Sequence, residues 1–187
     1  AQFYYNQVDS GFIGSGLVSI IFGVLFFLSN LDYEKKLTLP QAFLLTALSW
    51  LSIAIFGSLP FVFSDLSLSF TNAFFESMSG ITTTGSTILT NLNETPKAIL
   101  LWRAMLQWLG GIGIIVMAIT LMPIMNIGGM QLFVISNTHT PEKILPKSKE
   151  ISIRLIAIYS SLTLVCAFFY KIFGMSFFDS IVHSMTT

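Results

Sequence analysis

The stretch FTNAFFESMSGITTTGST, residues 70–87, decides the fold of this chain. From Phe70 onward its apolar side chains recur at i, i+3, i+4 and i+8, which is the spacing of one helix face. A helix ending at Gly80 rises only about 16 Å at about 1.5 Å per residue, whereas the hydrocarbon core of a bilayer is about 30 Å thick. The segment is too apolar for an ordinary loop and too short to cross, so we predict a re-entrant half-helix.

The composition of the whole chain is that of a membrane protein. Hydrophobic residues make up 53% of the 187 positions and charged residues 10%, with a mean hydropathy of +0.78. Soluble domains carry about 25% charged residues, because water must hydrate their surfaces. Four apolar runs have the length needed to cross hydrocarbon. These observations predict an all-α polytopic membrane protein in contact with lipid, with spans at about 11–31, 40–63, 98–125 and 151–173.

Charge and cysteine content exclude several other classes. The formal net charge is zero, which gives no basic surface for nucleic acid. The single cysteine, Cys166, excludes an internal disulfide.

Lys and Arg concentrate near residues 32–39 and 126–150, and these segments are therefore predicted to face the cytoplasm.

A segment rich in threonine with one glycine, ITTTGST at residues 81–87, follows the predicted half-helix. Such residues are poor choices for a buried helix, because their helix propensity is low. Irregular backbone at membrane depth is tolerated only where it is buried in protein or lines a water-filled cavity. Backbone carbonyls in such a position replace the hydration shell of a cation, and the carboxyl end of the half-helix adds partial negative charge. The pattern therefore predicts a strand that lines a cation path.

An internal repeat extends this interpretation to the end of the chain. FFES at residues 74–77 matches FFDS at 177–180, an offset of 103 positions, and the Thr pair 83–84 then falls on the pair 186–187. The predicted organisation is a leading helix with a cytoplasmic turn (1–38), a first repeat (39–125), a cytoplasmic linker (126–148) and a partial second repeat (149–187). We expect the chain to continue beyond Thr187, and a complete pore to need that continuation.

Two segments carry a resemblance to a known family: FFESMSGITTTGST at residues 74–87 and LLWRAMLQWLGGIGI at 101–115. They resemble the Trk/Ktr/HKT superfamily of potassium transporters, and within it an N-terminal fragment of a TrkH-like bacterial membrane subunit. The resemblance implies span–pore helix–span repeats around one pore, and potassium uptake without an enzymatic step. It also implies the cell inner membrane, a cytosolic nucleotide-binding regulatory subunit, and a homodimer of the full-length protein.

The resemblance also assigns candidate site residues. Its filter positions fall on Thr83, Thr84, Gly85, Ser86, Thr186 and Thr187, with transported K⁺ as the ligand and neither a cofactor nor another metal. In the superfamily, glycine at the position of Gly85 accompanies potassium preference and serine accompanies sodium preference. Glu76 and Asp179 occupy matching positions of the repeat, and we predict that they support the pore helices rather than bind the ion.

Three questions remain open from the sequence. A sodium or mixed sodium/potassium transporter would share this architecture. An intramembrane lipid-modifying enzyme is the alternative of a different class, and it would need a polar constellation on the spans. Arg103 stands one turn inside the third span, where it could either extend to lipid headgroups or pair with an acid of the pore.

Overall fold

The fold is that of a computed structural model which describes residues 10–30, 38–66, 68–92, 94–125 and 144–187. Within these residues, four helices are long and apolar enough to span a membrane, over Gly11–Ser29, Pro40–Phe63, Lys97–Met117 and Glu150–Ile172. The predicted all-α membrane fold is therefore confirmed. The helices of the described part are α1 (Ser10–Ser29), α2 (Leu39–Phe63), α3 (Phe70–Ile81), α4 (Lys97–Met125), α5 (Ile144–Ile172) and α6 (Phe177–Thr186).

The start of α5 differs from the sequence-based expectation. The linker was predicted to extend to residue 148, but the helix already begins at Ile144. The helix is longer than its apolar part, because charged residues in its first turns end the apolar run without ending the helix. One such pair, Arg154 and Glu150, is joined at i,i+4 with a distance of 2.5 Å. The part apolar enough to span a membrane is Glu150–Ile172, and the linker boundary at residue 148 stays a prediction. Residues 126–143 of the linker, and 1–9 and 31–37 of the leading segment, lie outside the described residues.

The chain forms two compact units, and the first contains residues 1–110 together with Thr186. Its buried apolar cluster joins α2, α3, the following loop and α4, and consists of Phe61, Ala73, Leu89, Ile99 and Leu106. Most other large apolar side chains whose burial the structure describes are exposed, such as Phe26 of α1 with 67% of its surface accessible. An apolar exterior of this kind fits a protein whose solvent is lipid.

Glycines bring α3 into close contact with its neighbours. A Cβ added to Gly110 of α4 would lie 2.0 Å from the carbonyl oxygen of Ile81 at the end of α3. A Cβ on Gly57 of α2 would lie 2.6 Å from the hydroxyl of Ser77. The indole Nε1 of Trp102 donates to the carbonyl of Gly57 at 2.9 Å and links α4 to α2. Small residues therefore set the spacing of these helices, as is common in membranes.

The second unit contains residues 111–185 together with Thr187. In this unit a Cβ on Gly111 would lie 2.8 Å from the hydroxyl of Tyr159. Helix α5 ends in a turn with Gly174 at φ +98°, where the amide of Met175 donates to the carbonyl of Tyr170 at 3.1 Å. Helix α6 begins with Ser176 as its N-cap.

The contact between Gly110 and Ile81 leads to a test of the packing. The substitution Gly110→Ala should lower the free energy of unfolding by about 1–3 kcal/mol, because its methyl group meets backbone that cannot rotate away. Thermal unfolding of the detergent-solubilised protein measures this. Gly23→Ala on α1 is the matched control, since a Cβ there has no atom within 4 Å and should not destabilise. Equal stability of the two variants would contradict the packing described.

Candidate functional site

The loop that follows α3 begins with a tight, hydrogen-bonded turn. The amide of Thr83 donates to the carbonyl of Gly80 at 2.9 Å, and the amide of Thr84 donates to the carbonyl of Ser79 at 3.0 Å. These two bonds form a Schellman motif, in which the residue after the helix cap adopts a left-handed conformation. That residue is Thr83, with φ +57°.

Thr83 is an unexpected residue for a left-handed conformation. Gly174 holds the equivalent position after α5, and glycine is the usual choice because it has no Cβ. A β-branched side chain with positive φ is an outlier that costs about 1–2 kcal/mol. Such strain concentrates at functional sites, which marks Thr83 as a candidate functional residue.

Glu76 lies on the inner face of α3 and is completely buried. Its Oε2 accepts a hydrogen bond from the amide of Ile88 at 3.0 Å, which ties the far end of the loop back to the helix. Its Oε1 accepts a hydrogen bond from Nε of Arg103 in an ion pair. The carboxylate thus contacts backbone and a cationic side chain, as a supporting residue would.

Arg103 projects from α4 toward this loop, and its side chain is only 15% exposed. Besides the ion pair, one of its terminal nitrogens donates to the carbonyl of Gly85 at 3.0 Å and to that of Ser86 at 3.3 Å. The structure therefore decides the question left open by the sequence: Arg103 pairs with the acid of the half-helix. Removing one partner of a buried pair costs about 3–5 kcal/mol, because the other charge is left uncompensated. The pair therefore requires that α3 and α4 meet here.

Ser79 completes the support from the side of α3. Its hydroxyl donates to the carbonyl of Ser86 at 2.6 Å, and its own carbonyl accepts from the amides of Thr84 and Gly85 at 3.0 and 3.4 Å. The carbonyl of Ser86 is thereby shared between two donors, Ser79 and Arg103. The loop is held along one side by a small network of side chains.

The predicted filter residues of the first repeat lie together in this loop. They are Thr83, Thr84, Gly85 and Ser86, which begin one residue after α3, beyond its cap residue Thr82, and all four are exposed. Those of the second repeat occupy a different element. Thr186 is the last residue of α6 and its carbonyl accepts a hydrogen bond from Nε2 of Gln107 at 3.1 Å, within the first unit.

Thr187 and Asp179 also differ from their proposed counterparts in the first repeat. Thr187 caps α6, and its amide donates to the carbonyl of His183 at 3.0 Å. Asp179 is exposed near the start of α6, where its carboxylate accepts from the hydroxyl of Ser176 at 2.7 Å. The cap itself is the Ser176 hydroxyl, which accepts from the amide of Asp179 at 3.1 Å. The Asp179 carboxylate thus contacts only the capping side chain within the described residues, whereas Glu76 is buried in an ion pair.

The helix starts correct the register of the repeat. Ser69 caps α3 and Ser176 caps α6, so the two helices begin 107 positions apart, and the offset of 103 is wrong. The slip is close to one helical turn of about 3.6 residues, which keeps the same helix face and preserves the apolar pattern. In the corrected register Glu76 matches His183, and Thr186 and Thr187 match Ser79 and Gly80. Their assignment to a second filter depended on the old offset and stays a prediction without support from this register.

Two contributors to the site were missed by sequence reasoning. Ser79 and the amide of Ile88 both hold the loop, but a serine in an apolar helix and a backbone amide give no distinctive sequence signal. The pairing of Arg103 with Glu76 also has no sequence signal. The two residues are 27 positions apart and meet only when the chain folds.

The comparisons with known proteins identify the family. A family model described as "TrkH: Cation transport protein" matches residues 10–187. The chain belongs to the TrkH family of cation transport proteins. The solved structure titled "Crystal Structure of the Potassium Transporter TrkH from Vibrio parahaemolyticus" is similar, with a TM-score of 0.80 and 38% identity over 95% of this chain and 35% of that one.

Curated relatives give the same family. The Trk system potassium uptake protein TrkI of Halomonas elongata is 47% identical over 147 residues, which is 79% of this chain and 30% of that protein. TrkH of Vibrio parahaemolyticus is 40% identical over 190 residues, which is 100% of this chain and 39% of that protein. The chain thus spans less than half the length of these relatives. Both are named as potassium uptake proteins, which is not a class of enzymes, and neither name supports a lipid-modifying enzyme.

The strained position Thr83 gives a test of the site. Thr83→Gly should raise the free energy of unfolding by about 1 kcal/mol, because glycine adopts the left-handed conformation without a Cβ penalty. Thr84→Gly is the matched control, since Thr84 does not have positive φ, and it should lower stability by about 0.5–1 kcal/mol. Thermal unfolding in detergent compares them. Destabilisation by both variants would contradict a strained Thr83.

Proposed function

We propose that this chain forms part of a potassium uptake transporter, a multi-pass protein of the cell inner membrane. The segment that includes Thr83, Thr84, Gly85 and Ser86 would be one part of its carbonyl-lined selectivity filter. One observation carries the proposal: a helix too short to cross the membrane ends in an exposed, irregular loop. Arg103, which is paired with the buried Glu76, donates a hydrogen bond to a carbonyl of this loop.

The dimensions of α3 support this role. Its 12 residues rise about 18 Å, which reaches only part of the way through a hydrocarbon core of about 30 Å. A cation at that depth has lost favourable hydration, and carbonyl oxygens must replace the lost water. The loop offers such oxygens in consecutive residues, and membership of the TrkH family, together with relatives named as potassium uptake proteins, supports K⁺ as the ion.

Gly85 has a conformational reason to be glycine. Its φ is +78°, and a Cβ built on it has no atom of the described chain within 4 Å. A serine would therefore not collide with a neighbour. It would instead strain the backbone, and the change in carbonyl direction would alter the spacing on which ion discrimination depends.

The proposal extends to the partners that the family resemblance implies. Lipid surrounds the spans, whose apolar side chains are largely exposed. A cytosolic nucleotide-binding regulatory subunit and a homodimer of the full-length protein complete the proposed assembly. Co-purification of the full-length protein with a soluble nucleotide-binding subunit addresses the first, and its mass in detergent addresses the second.

Transport by the full-length protein tests the function. Expressed in bacteria that lack their own potassium uptake systems, it should restore growth at limiting K⁺ and should take up K⁺ in preference to Na⁺. The variant Gly85→Ser should reduce the ratio of K⁺ to Na⁺ uptake by about tenfold, which corresponds to about 1.4 kcal/mol.

Gly174→Ser is the matched control, because Gly174 also has positive φ and open space for a Cβ but lies between α5 and α6. It should carry a similar backbone strain without changing the uptake ratio. Preference of the unmodified protein for Na⁺ would favour the sodium transporter of the same architecture. Absence of uptake of either cation would refute the proposed function.

A further inference from the structure

The carbonyls of the loop after α3 fall into two sets. Those of Gly85 and Ser86 accept hydrogen bonds from Arg103, and that of Ser86 also accepts one from Ser79. Those of Thr82, Thr83 and Thr84 accept no hydrogen bond from any part of the chain that the structure describes. The loop therefore has three consecutive carbonyls available to a ligand, followed by two that are already engaged.

The guanidinium of Arg103 is suited to making this division. It reaches Glu76 through Nε and both engaged carbonyls through a terminal nitrogen, at 3.0 Å to Gly85 and 3.3 Å to Ser86. A planar guanidinium holds several acceptors in fixed directions, whereas a lysine ammonium is a single flexible point of charge. Bonds from a charged donor are also stronger than neutral ones, so the two carbonyls are held firmly.

We call the hydrogen bonds from Arg103 to the carbonyls of Gly85 and Ser86 the clamp. The ion pair with Glu76 makes this clamp compatible with a cation path. An unpaired guanidinium beside the loop would repel any cation that approached it. Glu76 is fully buried and bonded to the same guanidinium, so the pair adds no net charge next to the loop. Arg103 can therefore position carbonyls without closing the path electrostatically.

We propose that Arg103 is a positioning residue that determines which carbonyls of this loop contact the transported cation. Of the proposed filter residues, Gly85 and Ser86 then shape the filter without binding the cation, because Arg103 engages their carbonyls. The carbonyls of Thr83 and Thr84, together with that of Thr82, remain as ligands. The discrimination between K⁺ and Na⁺ then depends on the clamp as well as on the loop itself. This inference rests on the proposed function and refines it.

Substitutions that separate charge from geometry test the inference in the full-length protein. Arg103→Lys keeps the positive charge but loses the planar set of N–H donors of the guanidinium. Glu76→Gln keeps the guanidinium but leaves its positive charge without the carboxylate that compensates it. The double variant Glu76→Gln with Arg103→Met is neutral and has no clamp. Arg154→Gln is the matched control, because it removes an arginine from an exposed pair with Glu150 on α5.

Two readouts are taken for each variant: the rate of K⁺ uptake per protein in the membrane, and the ratio of K⁺ to Na⁺ uptake. Arg103→Lys should lower the ratio by about tenfold, equivalent to about 1.4 kcal/mol, with the protein still present in the membrane. Glu76→Gln should lower the rate more than the ratio. The double variant should bring the abundance of the protein and the rate of K⁺ uptake back toward normal but keep the low ratio. Arg154→Gln should change neither the rate nor the ratio.

Two results would overturn the inference. One is an unchanged ratio in Arg103→Lys, and the other is a double variant that recovers the ratio as well as the rate, because neutrality alone would then be sufficient. These results are distinct from a failure of the proposed function. In that case the unmodified protein itself would not take up K⁺, and the inference would fall with it.

Discussion

A carboxylate and a guanidinium meet inside an apolar assembly of helices, and the other contacts of the site are built around them. Glu76 is completely buried, and the side chain of Arg103 is 15% exposed. Charges in such surroundings persist only when they are paired and hydrogen-bonded, so α3 and α4 must meet at the one register that joins these two side chains. The remaining donors of the guanidinium then need acceptors, and the nearest are the carbonyls of Gly85 and Ser86.

Helix α4 supports α3 and its loop through one face. Arg103, Leu106 and Gly110 stand at i, i+3 and i+7, which places them on the same side of the helix. Arg103 holds the loop, Leu106 lies in the buried cluster, and Gly110 allows the backbone of α4 to approach the carbonyl of Ile81. The charge of Arg103, the packing of Leu106 and the small size of Gly110 thus act at successive turns of α4. Together they fix the loop at the end of α3, which is too short to cross the membrane.

Much of this arrangement was predictable from the sequence, because hydropathy and length are local properties. The spans and the short helix follow from apolar runs and from the thickness of a bilayer. The register of the repeat was not predictable, since a shift of one helical turn conserves the helix face, and only the caps at Ser69 and Ser176 distinguish the two offsets. The partner of Arg103 and the left-handed Thr83 were also hidden, because both arise from how distant segments meet.

Whether and where a cation binds at the loop is the most direct test of the proposed filter. Rubidium, which has an anomalous scattering signal and resembles K⁺, can be located by X-ray crystallography of the full-length protein. We predict a rubidium peak in direct contact with the carbonyls of Thr82, Thr83 and Thr84, with Arg103 still bonded to those of Gly85 and Ser86. Rubidium coordinated by Gly85 and Ser86, with the guanidinium turned away from them, would contradict the account.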